Sequence, residues 1–471
     1  MVGGLAEGTI QNFNYGKYDF LQTFLYLKAK IEYNCAEVRR MQRKIMEKLI
    51  AWKQNEVRQP LLIHGARQVG KTYVIREFGN NEYENTIYIN FENNKRIADY
   101  FDEDISPARL IKFFESSFNE RILPRKTLII FDEIQTCERA LTSLKYFNED
   151  APEYDIVAAG SLLGVAINRE KYSFPVGKIE SLTVYPLDFE EYLWALGRER
   201  LCDEIRLRFE SNEKMPAPLH QELLELYKYY LIVGGMPKVV SEYVKTGSLY
   251  GAVEVQNEIM NNYIADMSKY ASSSESIKIR ACYNSIPNQL AKENKKFQYK
   301  VVQNGGNSTI FGESIEWLNF AGVVLKCQKA PVAQMPIAVH TDLTSFKLYM
   351  SDVGLLTMKS GILQSMILSN VEFESNFIGA IAENYVAVAL HSKGYPLYYW
   401  QSENTAEIDF IMQTEDGIVP IEVKAGAHTK SRSLSVFREK YAPKYVLRIS
   451  AKNFGFENGI KSVPLYAVFC I

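Results

Sequence analysis

The sequence predicts an α/β protein whose N-terminal part contains a parallel β-sheet, and three observations indicate this class. The chain has 471 residues, which is too long for one compact domain. Short apolar runs alternate with segments of helical periodicity between residues 61 and 185, a pattern typical of a parallel sheet covered by helices. The first apolar run leads into a glycine-containing loop and then into a helix, the arrangement that binds anions in many α/β proteins.

Composition and charge argue against several classes of protein. Hydrophobic residues make up 47%, charged residues 23%, and the formal net charge is −2, so no global field indicates a nucleic-acid or membrane binder. No apolar run is long enough to predict a membrane-spanning helix. The six scattered cysteines and five histidines lack metal-ligand spacing, and together with the absence of an apolar leader they favour a cytoplasmic location. We expect Met41 to be the biological start and residues 1–40 to be an upstream extension.

Local patterns predict each element of the N-terminal half. An apolar stripe of Ile45, Leu49 and Trp52 predicts a first helix, with Arg43 and other basic side chains on its remaining faces. Apolar runs with high β-propensity predict strands, and helical periodicity predicts the helices between them. The elements predicted in this way are strands at 61–63, 86–91, 127–131, 154–159 and 183–185, and helices at 71–78, from 106–107 onward, and at 138–148.

The second half begins with a helical region and ends with strands. Asp188 and Glu191 predict a capping box, after which the pattern is nearly all helical to about residue 270, broken at 234–237. A β-ribbon is predicted at 323–328 and 346–350, and later elements are a helix at 375–392 and strands at 397–400, 407–412 and 418–423. Asp416-Gly417 indicates a hairpin between the last two strands.

An octapeptide between the first strand and its helix matches the phosphate-binding pattern G-x-x-x-x-G-K-[ST]. Its residues are Gly65, Ala66, Arg67, Gln68, Val69, Gly70, Lys71 and Thr72. The glycines allow backbone N–H groups to curl around a β-phosphate at a helix N-terminus. Lys71 is predicted to contact the β- and γ-phosphates, and Thr72 to offer a hydroxyl to Mg²⁺. The sequence therefore predicts an ATP site with magnesium.

Two further strand ends carry polar residues for the same site. Asp132 and Glu133 follow the buried run at 128–131, and a buried acidic pair is costly unless a cation or a reaction uses it. We predict that Asp132 holds the Mg²⁺ shell and that Glu133 orients or deprotonates the attacking water. Ser161 ends the next strand, where it would act as a γ-phosphate sensor or simply form a Gly-Ser turn. The spacing favours the ATPase class in which an extra strand separates the two motif strands.

These motifs make residues 41–360 resemble the prokaryotic AAA-type ATPases that carry an associated domain of unknown function. The matching segments are HGARQVGKT (64–72), LIIFDEIQ (128–135), GSLLG (160–164), SFPVGK (173–178), VYPLDFEEYL (184–193), GGMP (234–237) and KLYMSDVGLL (347–356). The resemblance implies a P-loop (AAA-type) core with a parallel sheet, a helical lid and a winged-helix-like module. It also implies that Pro237 contacts the adenine, although a helix-ending Gly-Pro turn explains the same residues. Arg139 and Arg169 are candidates, by position only, for the cation that the transition state requires.

A second group of residues lies near the C-terminus. Asp409 lies in one predicted strand, and Glu422 and Lys424 share a face of the next. With Glu383 on the preceding helix, they resemble the PD-(D/E)XK nuclease family, although Ile408 replaces the usual proline. The resemblance implies a restriction-endonuclease-like α/β domain in which the three acids bind Mg²⁺ and Lys424 is catalytic. An ordinary cross-strand Glu–Lys pair beside a hairpin acid is the alternative.

The predicted domains are an extension, an ATPase core, a helical lid, a winged-helix-like domain and a nuclease-like domain. Their predicted bounds are 1–40, 41–195, 196–272, 273–368 and 369–471. Residues 421–471 carry nine Lys or Arg against three acids, whereas residues 371–420 carry one Lys against eight acids, and an acidic pocket beside a basic rim suits a polyanion. A further basic cluster, which either touches phosphates or belongs to a solvated loop, consists of Lys292, Lys295, Lys296 and Lys300.

The functional prediction is therefore an ATP-hydrolysing protein that acts on nucleic acid, with DNA preferred over RNA and Mg²⁺-dependent nuclease activity in its last domain. A second hypothesis is a slow ATP-dependent switch whose nuclease-like domain is an inactive interaction module. A P-loop kinase or metabolite enzyme is disfavoured by the Asp132-Glu133 pair. The expected partners are ATP, nucleic acid and further copies of the chain, and no membrane.

Overall fold

The computed structural model describes residues 41–161, 177–269, 271–369, 376–402, 406–426 and 432–471. The predicted extension, the candidate Arg169 and most of the 160–164 and 173–178 segments lie outside these ranges. No helix in the described parts of the chain combines the length and apolar character needed to cross a bilayer.

The N-terminal part alternates strands and helices, as the sequence predicts. In chain order its elements are α1 (Ile45–Gln54), β1 (Leu61–Gly65), α2 (Lys71–Glu82), β2 (Asn85–Asn90), α3 (Lys95–Glu103), α4 (Pro107–Phe118), β3 (Thr127–Asp132), α5 (Glu138–Asp150), β4 (Asp155–Ser161) and β5 (Glu180–Thr183). The five strands form a fully parallel sheet in the order β2-β3-β4-β1-β5. Strand β4 therefore separates β1 from β3, which confirms the predicted extra strand between the two motif strands.

This sheet is buried on both faces. Leu61 and Ile63 of β1 pack into one core and Leu62 into another on the opposite face, because successive side chains of a strand point to opposite sides. The prediction of a strand at 183–185 is wrong by a few residues. Strand β5 ends at Thr183, and beyond it the Tyr185 carbonyl accepts a hydrogen bond from Arg43.

The middle of the chain is mainly helical. Its elements are α6 (Phe189–Ala195), α7 (Glu199–Ser211), α8 (Ala217–Val233), α9 (Pro237–Thr246), α10 (Leu249–Lys269), α11 (Ser273–Leu290), α12 (Tyr299–Val302), α13 (Ser308–Phe320), β6 (Val324–Lys329), β7 (Asp342–Met350), α14 (Val353–Ser360) and α15 (Gln364–Leu368). Helix α6 begins with the predicted capping box, in which Asp188 and Glu191 each bind the other's backbone N–H. The break before α9 lies at Gly234–Met236, where the sequence predicts it.

The C-terminal part contains two helices and contributes strands to two sheets. Its elements are α16 (Asn376–Ser392), β8 (Tyr398–Gln401), β9 (Glu407–Ile408), β10 (Phe410–Thr414), β11 (Gly417–Val423), α17 (Arg432–Tyr441), β12 (Val446–Ser450), β13 (Gly455–Glu457) and β14 (Ile460–Pro464). Strands β10 and β11 form the predicted hairpin. The β6–β7 ribbon pairs with β8, so one sheet in the order β7-β6-β8-β9 crosses the boundary predicted at 368/369.

Candidate active site

The loop between β1 and α2 is shaped by two glycines. A Cβ on Gly65 would lie 2.2 Å from the carbonyl oxygen of Val184, so no side chain fits at this crossing of the two backbones. Gly70 has a φ of 91° and stands immediately before α2, a left-handed conformation that glycine adopts without strain. The loop therefore bends sharply at both ends. The first backbone N–H groups of α2 lie beside it without intrahelical partners.

The Lys71 ammonium lies against this loop. Its Nζ donates hydrogen bonds to the carbonyl oxygens of Gly65 and Ala66 at 3.1 and 2.8 Å. Burial lowers the pKa of Lys71 to about 8, although the charges of Glu133 and Asp132 oppose that shift. The predicted phosphate-binding cation is therefore held beside the loop, with the two predicted carboxylates close to it.

Asp132 and Thr72 meet as a magnesium site requires. The Asp132 side chain is 3% exposed, and its Oδ2 accepts hydrogen bonds from Thr72 Oγ1 at 2.8 Å and from Tyr88 OH at 2.7 Å. Hydroxyl and carboxylate oxygens are the ligands that Mg²⁺ prefers, so these residues fit the predicted cation. The sequence did not predict Tyr88 as a site residue, because its surroundings indicate only a strand. Its contact with Asp132 arises because β2 pairs with β3.

Glu133 directly follows Asp132 but has an unusual backbone conformation. Its φ of 52° is left-handed, an uncommon conformation for a residue with a side chain and one that costs about 1–3 kcal/mol. This backbone turn lets Asp132 point inward while the Glu133 carboxylate acts on Lys71. The amide of Gln135 donates a hydrogen bond to Glu133 Oε2 and fixes the carboxylate.

Ser161 also lies beside the loop, as predicted. It pairs with Gly65 across the β1–β4 register. Together with Arg67, Tyr263 and Asp266 it lines a small pocket between the loop and the helical region. Arg67 forms an ion pair with Asp266 at 2.6 Å, and its carbonyl accepts a hydrogen bond from Tyr263 OH at 3.1 Å. The sensor role of Ser161 stays a prediction.

Arg43 contacts the loop through the Val69 carbonyl. The sequence predicts it on a face of the first helix other than the apolar stripe, whereas the structure places it two residues before that helix begins. Its side chain is buried and binds the carbonyl oxygens of Val69 at 3.0 Å and Tyr185 at 2.6 Å, and Glu191 at 3.1 Å. A charged residue beside an apolar stripe looks like a surface residue in sequence, because its buried partners are far away along the chain.

Pro237 lies next to the loop. A Cβ on Gly70 would approach its Cγ to 3.4 Å, so the 234–237 segment reaches the phosphate-binding residues. Its contact with adenine stays a prediction. Arg139 Nε donates a hydrogen bond to the Phe101 carbonyl at 2.6 Å, and its role as the transition-state cation stays a prediction.

The C-terminal residues predicted to act together do converge. Burial, followed by the charges of Glu383 and Glu422, raises the pKa of Asp409 to about 7. Asp409 Oδ2 accepts a hydrogen bond from the Val423 N–H at 2.8 Å, and Lys424 Nζ lies 2.8 Å from Glu422 Oε1. The other oxygen of Glu422 is buried without a hydrogen-bond partner among the described residues, so it is available to a cation.

Glu383 does not fit the predicted metal role equally well. Its Oε2 pairs with Lys295, and its Oε1 accepts from Tyr349 OH and lies 3.0 Å from Lys347 Nζ. These lysines lower the pKa of Glu383 to about 2, although its burial acts in the opposite direction. Within the described ranges, no group of three or more His, Cys, Asp or Glu side chains is arranged to hold a metal ion.

Lys347 is the centre of this charged cluster and was not predicted as a functional residue. Its side chain is 1% exposed and also pairs with Glu407 at 2.7 Å. Burial acts to lower the pKa of Lys347, but Glu383 and Glu407 outweigh it and hold that pKa well above its usual value. Of the basic cluster predicted at 292–300, Lys295 thus belongs to an ion pair and not to a solvated loop.

Three parts of the chain match known protein families. Residues 57–193 match a family described as an AAA domain, and residues 224–365 and 378–468 match two domains of unknown function, DUF8612 and DUF4143. A comparison with curated proteins found no match.

Several solved structures are similar at low sequence identity. The Walker-type ATPase PABY2304 of Pyrococcus abyssi is 17% identical, over 68% of this chain and 96% of that chain, with a TM-score of 0.42. The Orc1 protein of Aeropyrum pernix in complex with DNA is 12% identical, over 70% and 95%, with a TM-score of 0.29. RuvB of Thermotoga maritima is 15% identical, over 64% and 94%, with a TM-score of 0.29. The match over residues 57–193 and the phosphate-binding loop within it identify an AAA-type P-loop ATPase domain, and two regions that match domains of unknown function follow it in the chain.

Proposed function

We propose that the protein binds Mg²⁺-ATP in the loop from Gly65 to Thr72 and uses its hydrolysis to act on nucleic acid. The observation that carries the ATP part is the convergence of Lys71, Thr72 and Asp132 at the N-terminus of α2. Here the Lys71 ammonium lies against the loop carbonyls, and the Thr72 hydroxyl donates to the buried Asp132 carboxylate. This geometry is the one that P-loop ATPases use for phosphoryl transfer.

Each residue has a distinct part in the proposed reaction. Lys71 neutralises charge on the β- and γ-phosphates, and the N–H groups of the loop hold the β-phosphate. Thr72 and Asp132 would hold the magnesium, which when bound neutralises charge that develops on the phosphate oxygens. Glu133 accepts a proton from the attacking water. We propose that the remaining cation is an arginine that a second copy of the chain supplies in trans.

The test of ATP binding is calorimetry with Mg²⁺-ATP. Wild-type protein should bind, whereas Lys71→Ala should lose at least about tenfold in affinity, because a charge-assisted contact to phosphate is removed. Lys48→Ala is a matched control, since this lysine is exposed on α1. Equal affinity of wild type and Lys71→Ala would contradict the proposed site.

The nucleic-acid part of the proposal rests on the C-terminal residues. Helix α16 precedes the β10–β11 hairpin, and strand β12 pairs in parallel with β11. Asp409, Glu422 and Lys424 meet at one edge of this arrangement. Helices α11 and α13 pack together before the β6–β7 ribbon, and this supports the proposed winged-helix-like module.

The second candidate function is an inactive interaction module, and one observation favours it. Lys295 and Lys347 occupy both oxygens of Glu383, so an ammonium group compensates the charge that a metal would otherwise compensate. In this case the C-terminal region would bind a partner under control of the ATPase and would not cut a phosphodiester.

A plasmid assay separates the two candidates. If the nuclease proposal holds, wild-type protein with ATP and Mg²⁺ or Mn²⁺ should nick plasmid DNA, and Lys424→Ala should reduce the rate by about 10²-fold or more because oxyanion stabilisation is lost. Lys444→Ala, an exposed lysine paired with Asp416, is the control and should cut like wild type. Absence of cutting with salt-dependent DNA binding would favour the interaction module, and absence of both would contradict the nucleic-acid proposal.

A further inference from the structure

Asp352 is a buried carboxylate whose partners are backbone N–H groups. Its side chain is 2% exposed and precedes α14, where Oδ1 accepts a hydrogen bond from the Leu355 N–H at 2.9 Å. Its second oxygen accepts from the Gly235 N–H at 2.7 Å, a residue more than a hundred positions earlier in the chain. Burial raises the pKa of Asp352 to about 6 even though these N–H groups favour its charged form. Only one of the two oxygens caps the helix, so the second is free to bind another part of the chain.

The second oxygen of Asp352 holds the segment before α9. A Cβ on Gly234 would lie 2.4 Å from Asp352 Oδ1, and a Cβ on Gly354 would lie 2.6 Å from the Gly234 nitrogen. The two backbones therefore touch at a contact that only glycines allow. The Gly235 carbonyl in turn accepts a hydrogen bond from the Leu187 N–H at 2.7 Å. The segment is fixed from both sides, by Asp352 and by Leu187 of the matched AAA domain.

This segment leads directly to the phosphate loop. Gly235 is two residues before Pro237, which opens α9 and lies against Gly70. Gln256 of α10 donates hydrogen bonds to the carbonyl oxygens of Ile232 and Val233 at 2.8 and 3.0 Å, so the helix before the segment is held as well. The position of Pro237 beside the loop is thus determined in part by Asp352 and Gln256, which lie outside the matched AAA domain.

We propose that Asp352 is a positioning residue of the nucleotide site, which fixes Gly235 and hence Pro237 beside Gly70 and thereby sets the affinity for ATP. The inference rests on the proposed function, because it assumes that ATP occupies the loop. It extends that function by making nucleotide affinity depend on α14 of the downstream domain. A change in the packing of α14 would reach the nucleotide through this contact.

The test is the steady-state kinetics of Asp352→Asn. Asparagine keeps the shape but has only one acceptor oxygen, so either Gly235 or Leu355 loses its partner. We expect the KM for ATP to rise about tenfold with kcat within about twofold of wild type, because the contact positions bound nucleotide equally in the ground and transition states. Asp104→Asn is the control, since Asp104 also accepts a backbone N–H, from Ser106, but is located at the surface.

Pro237→Ala provides a second variant that leaves Asp352 in place, and it should raise KM in the same way. In a double-mutant cycle, Asp352→Asn with Pro237→Ala should give the KM of the more affected single variant, because both changes act through one contact. An unchanged KM in Pro237→Ala, a fall of kcat alone, or additive changes in the cycle would overturn the inference. If wild type binds no nucleotide by calorimetry, the proposed function has failed instead.

Discussion

Replacing Glu133 with glutamine should lower kcat for ATP hydrolysis by about 10²- to 10⁴-fold, the usual contribution of a general base. Glutamine preserves the size of the side chain but cannot accept the proton of the attacking water. The proposed contacts of Lys71 with phosphate and of Thr72 with magnesium are unaffected, so the affinity for ATP should stay within about twofold of wild type. The variant should therefore accumulate with ATP bound.

Two measurements check this expectation. Phosphate release at saturating ATP reports kcat, and calorimetry or filter binding with labelled ATP reports affinity. Glu120→Gln is a suitable control, because Glu120 is exposed and follows α4 away from the loop. A Glu133→Gln variant that hydrolyses ATP at the wild-type rate would mean that another group activates the water.

Replacing Lys347 with methionine should destabilise the protein by about 3–5 kcal/mol, the cost of leaving a buried charge without its partner. Lys347 is the buried partner of both Glu383 and Glu407, and methionine fills a similar volume without a charge. The pKa of Glu383, now about 2, should rise, since one of the two lysines that lower it is lost.

The comparison of denaturation midpoints in urea measures this effect. Lys444→Met is the matched control, because its pair with Asp416 is two-thirds exposed and such surface pairs contribute about 0–1 kcal/mol. Adding Glu383→Gln to Lys347→Met should recover part of the loss, because it removes the uncompensated carboxylate. A Lys347→Met variant as stable as wild type would show that the cluster is hydrated and contributes little.

The effect of pH on stability can be derived from the same cluster. Glu383 has a folded pKa of about 2, below its usual value of 4.5, so its stabilising contribution is present above about pH 4.5 and is lost as the pH falls toward 2. Asp409 has a pKa raised from 3.8 to about 7 and acts in the opposite sense, because stability falls as the pH rises from about 3.8 to 7 and the full cost of its ionisation is present above pH 7. These opposing contributions follow from one lysine-rich cluster around Glu383 with Asp409 beside it.

The parts of the site that the sequence predicted are those fixed by neighbours in the chain. The octapeptide from Gly65 to Thr72, the Asp132-Glu133 pair and the Asp188 capping box each depend on spacing within a few residues. Spacing of that kind determines backbone conformation and which side chains share a face, so a strand, a loop and a helix can be derived without knowledge of the rest of the chain.

The parts that the sequence did not predict depend on distant partners. In the sequence these residues look like ordinary charged residues or an ordinary strand residue, and only the folded chain supplies their partners. They are Arg43, Tyr88, Lys347 and Asp352. A buried charge is stable only when it is paired, and its pairing is set by which elements pack together. The same holds for the β6–β8 pairing, which joins the ribbon to the C-terminal sheet.

The sequence by itself therefore determined the phosphate-binding loop motif of this protein, because a glycine-bent loop, a lysine and a hydroxyl are local features. Only the tertiary structure decided how that loop is held and what the C-terminal acids contact. Those answers come from long-range hydrogen bonds and ion pairs, whose energies depend on burial and distance and leave no periodic pattern in the sequence.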